Sequence, residues 1–115
     1  MLPPEFEEWC REYIALRVEA VVAQERRSSL VWPPVVRGAT CEEYRAWQEK
    51  WDAVRRQYHD LSQRTEEVVR ARVSLSARIT GALETATSVT VDGWEFGKTS
   101  QGQPDITPPA GWFTT

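Results

Sequence analysis

Four groups of side chains carry types that do chemistry. His59 is the single histidine and stands between Tyr58 and Asp60. An aspartate can orient an imidazole for proton transfer, but neighbours on a helix point about 100° apart, so Asp60 is badly placed for that role. No Glu-x-x-His spacing precedes His59, which removes the helical di-metal pattern. Cys10 and Cys41 are the two cysteines. With one histidine and two separated thiols, a zinc site would need ligands from a second chain. Ser74 and Ser76 have no histidine near them in sequence, and the chain contains neither a glycine-rich phosphate loop nor a nucleophile elbow. Arg70, Arg72 and Arg78 form one basic patch that could meet a phosphate or carboxylate; its simpler meaning is an ordinary surface with one interface arginine. The expectation is a chain that is not an enzyme and carries no metal or cofactor.

The element that positions most of these residues is a single long helix from Cys41 to about Leu83. Tyr44, Trp47, Trp51, Val54, Tyr58, Leu61, Thr65, Val68, Arg72, Leu75, Ile79 and Ala82 recur in alternating steps of three and four, a coiled-coil-like seam. Thr40 three residues before Glu43 marks the N-cap. No proline interrupts the next forty residues, so the end is expected between Thr80 and Thr87. Eight acidic and eight basic residues lie between Cys41 and Thr87. The spacings Asp52 to Arg56, Asp60 to Arg64 and Glu66 to Arg70 each support a solvated helix face.

An earlier helix is predicted from Pro3 or Pro4 to about Arg27. Proline suits its first position, and Glu5, Glu7 and Glu8 complement the helix dipole. Phe6, Trp9, Tyr13, Leu16, Ala20 and Ala23 give the stripe, widened by Cys10, Ile14, Val18, Val21 and Val22. The link through Trp32-Pro33-Pro34-Val35-Val36 must be extended or turned. Trp32 and the valines are expected to cap the open end of the bundle.

Helix lengths then suggest an asymmetry. If the first helix ends beside the start of the second, it reaches only to about Thr65. Val68, Leu75, Ile79 and Leu83 are left uncovered by it, and Thr65 and Arg72 bring polarity into the seam at that place, so another copy, another protein or the chain's own tail must cover the distal third. In this arrangement Cys10 lies too far from Cys41 for a disulfide, so both thiols should be free. Cys41, in the first helical turn, could have its pKa lowered by the dipole, though it is more simply a small residue at a helix start.

Val89-Thr90-Val91-Asp92-Gly93-Trp94-Glu95-Phe96 is a β-hairpin with Asp-Gly at its turn. Val91 should pair with Trp94 and Val89 with Phe96, placing all four on one face. The remainder is polar, then proline-rich, and ends on Trp112-Phe113. It is expected to be an extended arm that anchors on a neighbour and is dispensable for the fold of the hairpin.

The fold class is therefore mainly α: an antiparallel helical hairpin over residues 1–87, a β-hairpin over 88–97 and an extended C-terminal arm over 98–115. The expected protein interface comprises Val68, Arg72, Leu75, Ile79, Leu83, Val89, Val91, Trp94, Phe96, Trp112 and Phe113. Six tryptophans in 115 residues, three of them outside the helices, favour an interaction protein.

A net charge of −3 and a pI near 5.2 argue against nucleic acid as the main ligand and against anionic membranes. No apolar run spans a bilayer, and the first residues lack both the basic and the apolar parts of a signal peptide, so the expected location is the cytoplasm, or a virion if the source is viral. Helices followed by a docking arm are similar in outline to virion connector and other phage assembly proteins. That resemblance implies a structural or adaptor subunit, in a homo-oligomer or a hetero-assembly. Length and hairpin are also similar to type VII secretion substrates, but the Trp-x-Gly turn of that family is replaced here by Trp32-Pro33-Pro34. The alternative is a helical-hairpin effector that binds one partner by coiled-coil pairing.

Overall fold

The computed structural model describes residues 2–35, 37–84 and 87–113. Val36 of the link and the terminal Thr114 and Thr115 of the arm lie outside these residues. Helix α1 (Phe6–Ser28) and helix α2 (Cys41–Ala82) are followed by strands β1 (Ser88–Val91), β2 (Trp94–Lys98) and β3 (Pro104–Thr107). The strands form one antiparallel sheet in the order β1-β2-β3.

The molecule measures 70 × 25 × 24 Å, with a radius of gyration of 20.7 Å. A compact chain of this length would have a radius near about 13 Å, so the shape is a rod. Helix α2, 42 residues long, supplies most of that length at about 1.5 Å per residue.

Helix α2 starts where local chemistry dictates. The Thr40 hydroxyl accepts a hydrogen bond from the Glu43 backbone N–H at 3.2 Å, satisfying a donor that has no partner within the helix. Thr40→Ala is expected to lower stability by about 1 kcal/mol, read as a shift in the urea midpoint at unchanged slope. Thr65, polar within the seam, is accommodated because its hydroxyl bonds back to the Leu61 carbonyl at 2.8 Å. Helix α1 begins after a turn in which Phe6 N–H meets the Pro3 carbonyl at 3.1 Å. Glu7 and Glu8 occupy its first turn and Arg26 and Arg27 its last, the arrangement that suits the dipole.

The helices are antiparallel, but their offset is not the one that helix lengths suggest. The Arg78 guanidinium lies 5.5 Å from the Trp9 ring centroid, Arg64 reaches across to Glu19, and Arg27 donates to the Ser62 hydroxyl at 3.5 Å. Helix α1 therefore lies beside roughly residues 59–82 of α2. Residues 41–58 extend beyond it.

The link makes this possible. A link of twelve residues, 29–40, can reach about 37 Å at ~3.1 Å per residue, whereas the protruding helix of residues 41–58 is about 27 Å long. The link runs back along that segment: Trp47 Nε1 donates to the Pro34 carbonyl at 2.6 Å, and the Trp32 ring lies 4.9 Å from Trp51 and 6.0 Å from Tyr58.

The core lies at the opposite end, where α1, α2 and the sheet meet. Phe6, Cys10 and Tyr13 pack with Leu75, Ile79, Leu83, Val91, Trp94 and Phe96, all buried. The sheet has the expected hairpin register, Val91 opposite Trp94 and Val89 opposite Phe96. Asp92 and Gly93 have φ of 49° and 84°, the left-handed pair that a two-residue turn requires and that Asp-Gly accepts at little cost. The chain beyond it does not extend away. Pro104–Thr107 returns as β3 and places Ile106 opposite Phe96.

Candidate interaction surfaces

The distal seam, whose expected cover is another copy, another protein or the chain's own tail, is closed within the chain, by α1 together with the tail's sheet. Val68, Leu75, Ile79, Leu83, Val91, Trp94 and Phe96 are buried by α1 and the sheet, while Arg72, Val89 and Trp112 are half-buried. Of the expected interface residues only Phe113 is exposed, and it stacks edge-on against Trp112 at 5.0 Å. The physical reason is the offset: α1 has slid toward the sheet, where its widest apolar stripe finds two neighbours instead of one.

Trp112 is likewise held within the chain. Its ring meets Trp94 edge-on at 5.0 Å, and Tyr13 meets Trp94 and Phe96 edge-on at 6.3 and 5.8 Å. Arg17 sits among these rings, 5.8, 5.4 and 5.3 Å from the centroids of Tyr13, Trp94 and Trp112, and donates to the Tyr13 hydroxyl at 3.0 Å. A guanidinium among aromatic faces is fixed in direction by them. The arm thus belongs to the fold rather than reaching away from it.

The uncovered surface is at the other end. Along residues 41–58 the seam residues Tyr44, Trp47, Trp51 and Val54 lie beyond the end of α1, which reaches only Tyr58 through Arg27; with the link alongside, Trp47, Trp51 and Val54 are half-buried. Tyr44 and Tyr58 are 53% and 42% exposed, and in the link Val31 and Val35 are 82% and 81% exposed. Trp32 covers part of Trp51 and Tyr58, as expected of a cap, whereas Val35 is too exposed to share that role and Val36 lies outside the described residues. Tyr44 and Trp47 lie 5.7 Å apart, and the Arg55 and Arg27 guanidiniums rest over Trp51 and Tyr58. The result is an aromatic strip with charged edges. Heptad spacing alone marks these residues as core; the signal for exposure was the length of the link, which allows the helices to shift.

The chemistry-bearing residues are scattered. His59 is exposed on α2, and among the described residues no group of three or more His, Cys, Asp or Glu is placed to hold a metal ion. Arg70 pairs with Glu66 at 3.6 Å, as its spacing suggests. Asp52 pairs with Arg55 rather than Arg56, and Arg64 turns to Glu19 and Glu67 rather than Asp60. Of the basic patch, Arg78 lies over Trp9 and Arg72 faces a cleft with Arg17 and Lys98. Spacing along one helix could not bring Arg17 and Lys98 to Arg72; the packing of α1 and of the sheet against α2 does.

Both cysteines are free. Burial pushes the Cys10 thiol up to about 11, with Glu7 adding to the effect, so at neutral pH it is protonated and enclosed. Cys41 is exposed. A disulfide reagent added to the native protein is expected to label one thiol per chain at Cys41, with Cys10 reacting only as fast as the protein unfolds. Equal rates for the two thiols would contradict the packing around Cys10.

No helix among the described residues is long and apolar enough to cross a membrane. Compared with known proteins, the chain matches no family model, no curated protein and no solved structure.

Proposed function

We propose that this chain is a non-enzymatic structural or adaptor subunit that assembles through the free first half of α2, pairing there with the same segment of a second copy. The observation that carries this reading is the aromatic seam that starts at Tyr44 and runs beyond the end of α1, which meets it only at Tyr58 through Arg27. A 42-residue helix needs its seam buried, since helices in proteins draw most of their stability from such packing. Large aromatics of low entropic cost are the residues that interfaces favour.

A second copy fits this strip. The seam has tyrosine at both ends, so a two-fold antiparallel arrangement about Trp51 sets Tyr44 of each copy near Tyr58 of the other. Its flanks are nearly balanced in charge: Glu42, Glu43, Glu49, Asp52 and Asp60 against Arg45, Lys50, Arg55 and Arg56. Like copies would not repel each other strongly.

Light scattering on the eluting full chain tests this. The expected mass is at least twice 13.2 kDa, falling to one chain for Tyr44→Asp with the melting temperature of the monomer unit little changed. A monomer at all concentrations for the unsubstituted chain overturns the self-assembly and favours a one-partner effector.

A further inference from the structure

Away from the aromatic strip, a cleft of about 830 Å³ opens between the distal part of α2 and the β2–β3 turn. Arg17 from α1, Arg72 from α2 and Lys98 from the end of β2 all line it, and no aspartate or glutamate does. In a chain of net charge −3 this is an unusual concentration of positive charge. Each of the three is half-buried, with its stem against the wall of the cleft it lines.

Among the described residues Arg72 and Lys98 have no ion pair, and Arg17 donates to the Tyr13 hydroxyl and is held by three rings, which aim it without neutralising it. Ser76 adds a hydroxyl to the wall, while Val73 and Ala77 supply apolar surface.

We propose that this cleft binds a small phosphate-bearing molecule. Three cations from three different elements favour an anion with more than one negative charge, and two guanidiniums with one ammonium match the several oxygens of a phosphoryl group better than a single carboxylate. The volume is that of small-molecule sites and exceeds what one phosphate fills, leaving room for an organic portion against Val73 and Ala77. The site stands on residues remote from Tyr44–Tyr58 and does not depend on self-assembly.

The test is calorimetric titration of the full chain with inorganic pyrophosphate, adenosine monophosphate and citrate at about 0.05 M salt, where screening is weak. Pyrophosphate and the nucleotide are expected to bind at one site per chain and to weaken on adding salt. Arg72→Glu and Lys98→Glu should each reduce affinity at least about tenfold, and Arg45→Glu, at the far end of the rod, should leave it unchanged. Should either reversal fail to fold by circular dichroism, Arg72→Gln and Lys98→Gln replace them with the same expected direction. No binding of either phosphate compound by the unsubstituted chain overturns the proposal. So does an equal loss in Arg45→Glu, which would mark diffuse charge attraction, or binding of citrate as tight as that of pyrophosphate, which would remove the preference for phosphate.

Discussion

Leu75→Asp is expected to unfold the distal half of the molecule, with a loss of more than about 4 kcal/mol, rather than merely to separate copies of an otherwise intact hairpin. The two outcomes correspond to two placements of the same residue. With α1 ending beside the start of α2, Leu75 would stand on an open seam, where a carboxylate disturbs only association. In the structure it is 6% exposed and packs in the cluster that joins Tyr13, Ile79 and Phe96. An aspartate there loses the burial of a leucine and must either hold a proton or lie charged within an apolar cluster. Val73, two residues earlier and 60% exposed, is the control: Val73→Asp should change stability by less than about 0.5 kcal/mol. Loss of helical circular dichroism and of a cooperative melt in the first variant alone is the expected pattern. A folded, monomeric Leu75→Asp would mean that the helices are offset as their lengths suggest.

Which parts were legible in the sequence follows from how local their causes are. Thr40 caps α2 through a hydroxyl three residues from the donor it satisfies. Asp92-Gly93 closes the hairpin because those two residues accept left-handed backbone, and the alternating run on either side then leaves one register that puts Val91, Trp94 and Phe96 on the same face. The offset of the helices has no local cause. It is decided by whether Phe6, Cys10 and Tyr13 bury more surface against the sheet and Leu75, Ile79 and Leu83 than α1 would bury against the tyrosines and tryptophans of α2's first half, and by a link long enough to permit either.

The third strand was illegible for a related reason. Pro104-Asp105-Ile106-Thr107 starts on a proline and offers one apolar side chain, a weak strand by itself. It forms because β2 has a free edge and Ile106 can cover Phe96. The candidate phosphate cleft inherits that difficulty, since Lys98 joins Arg17 and Arg72 only once the sheet is in place. The aromatic strip was visible as a seam, but its composition could not say which end of the seam the chain itself would cover.

Removing Pro104 to Thr115 puts the role of the arm to the strictest trial. An arm reaching onto a neighbour would leave the truncated hairpin folded. Here the deletion removes β3 from the edge of β2, uncovers the Ile106 side of Phe96 and strips Trp112 from Trp94 and Arg17. What remains of the sheet is a two-stranded ribbon, marginal in water even with one face docked. Trp112 by itself is a large aromatic, and loss of such a residue from a packed site costs about 3–5 kcal/mol; half-burial places Trp112→Ala toward the lower end. Against a total of roughly 5–15 kcal/mol for a domain, the full deletion should leave little of the distal core standing. The expected result is a urea midpoint shifted far to lower concentration, a large loss of near-ultraviolet dichroism from the tryptophans, and a smaller shift in the same direction for Trp112→Ala. An unchanged midpoint after the deletion would show that the arm contributes nothing to the fold, and would return Trp112 and Phe113 to the role of an anchor for some other surface.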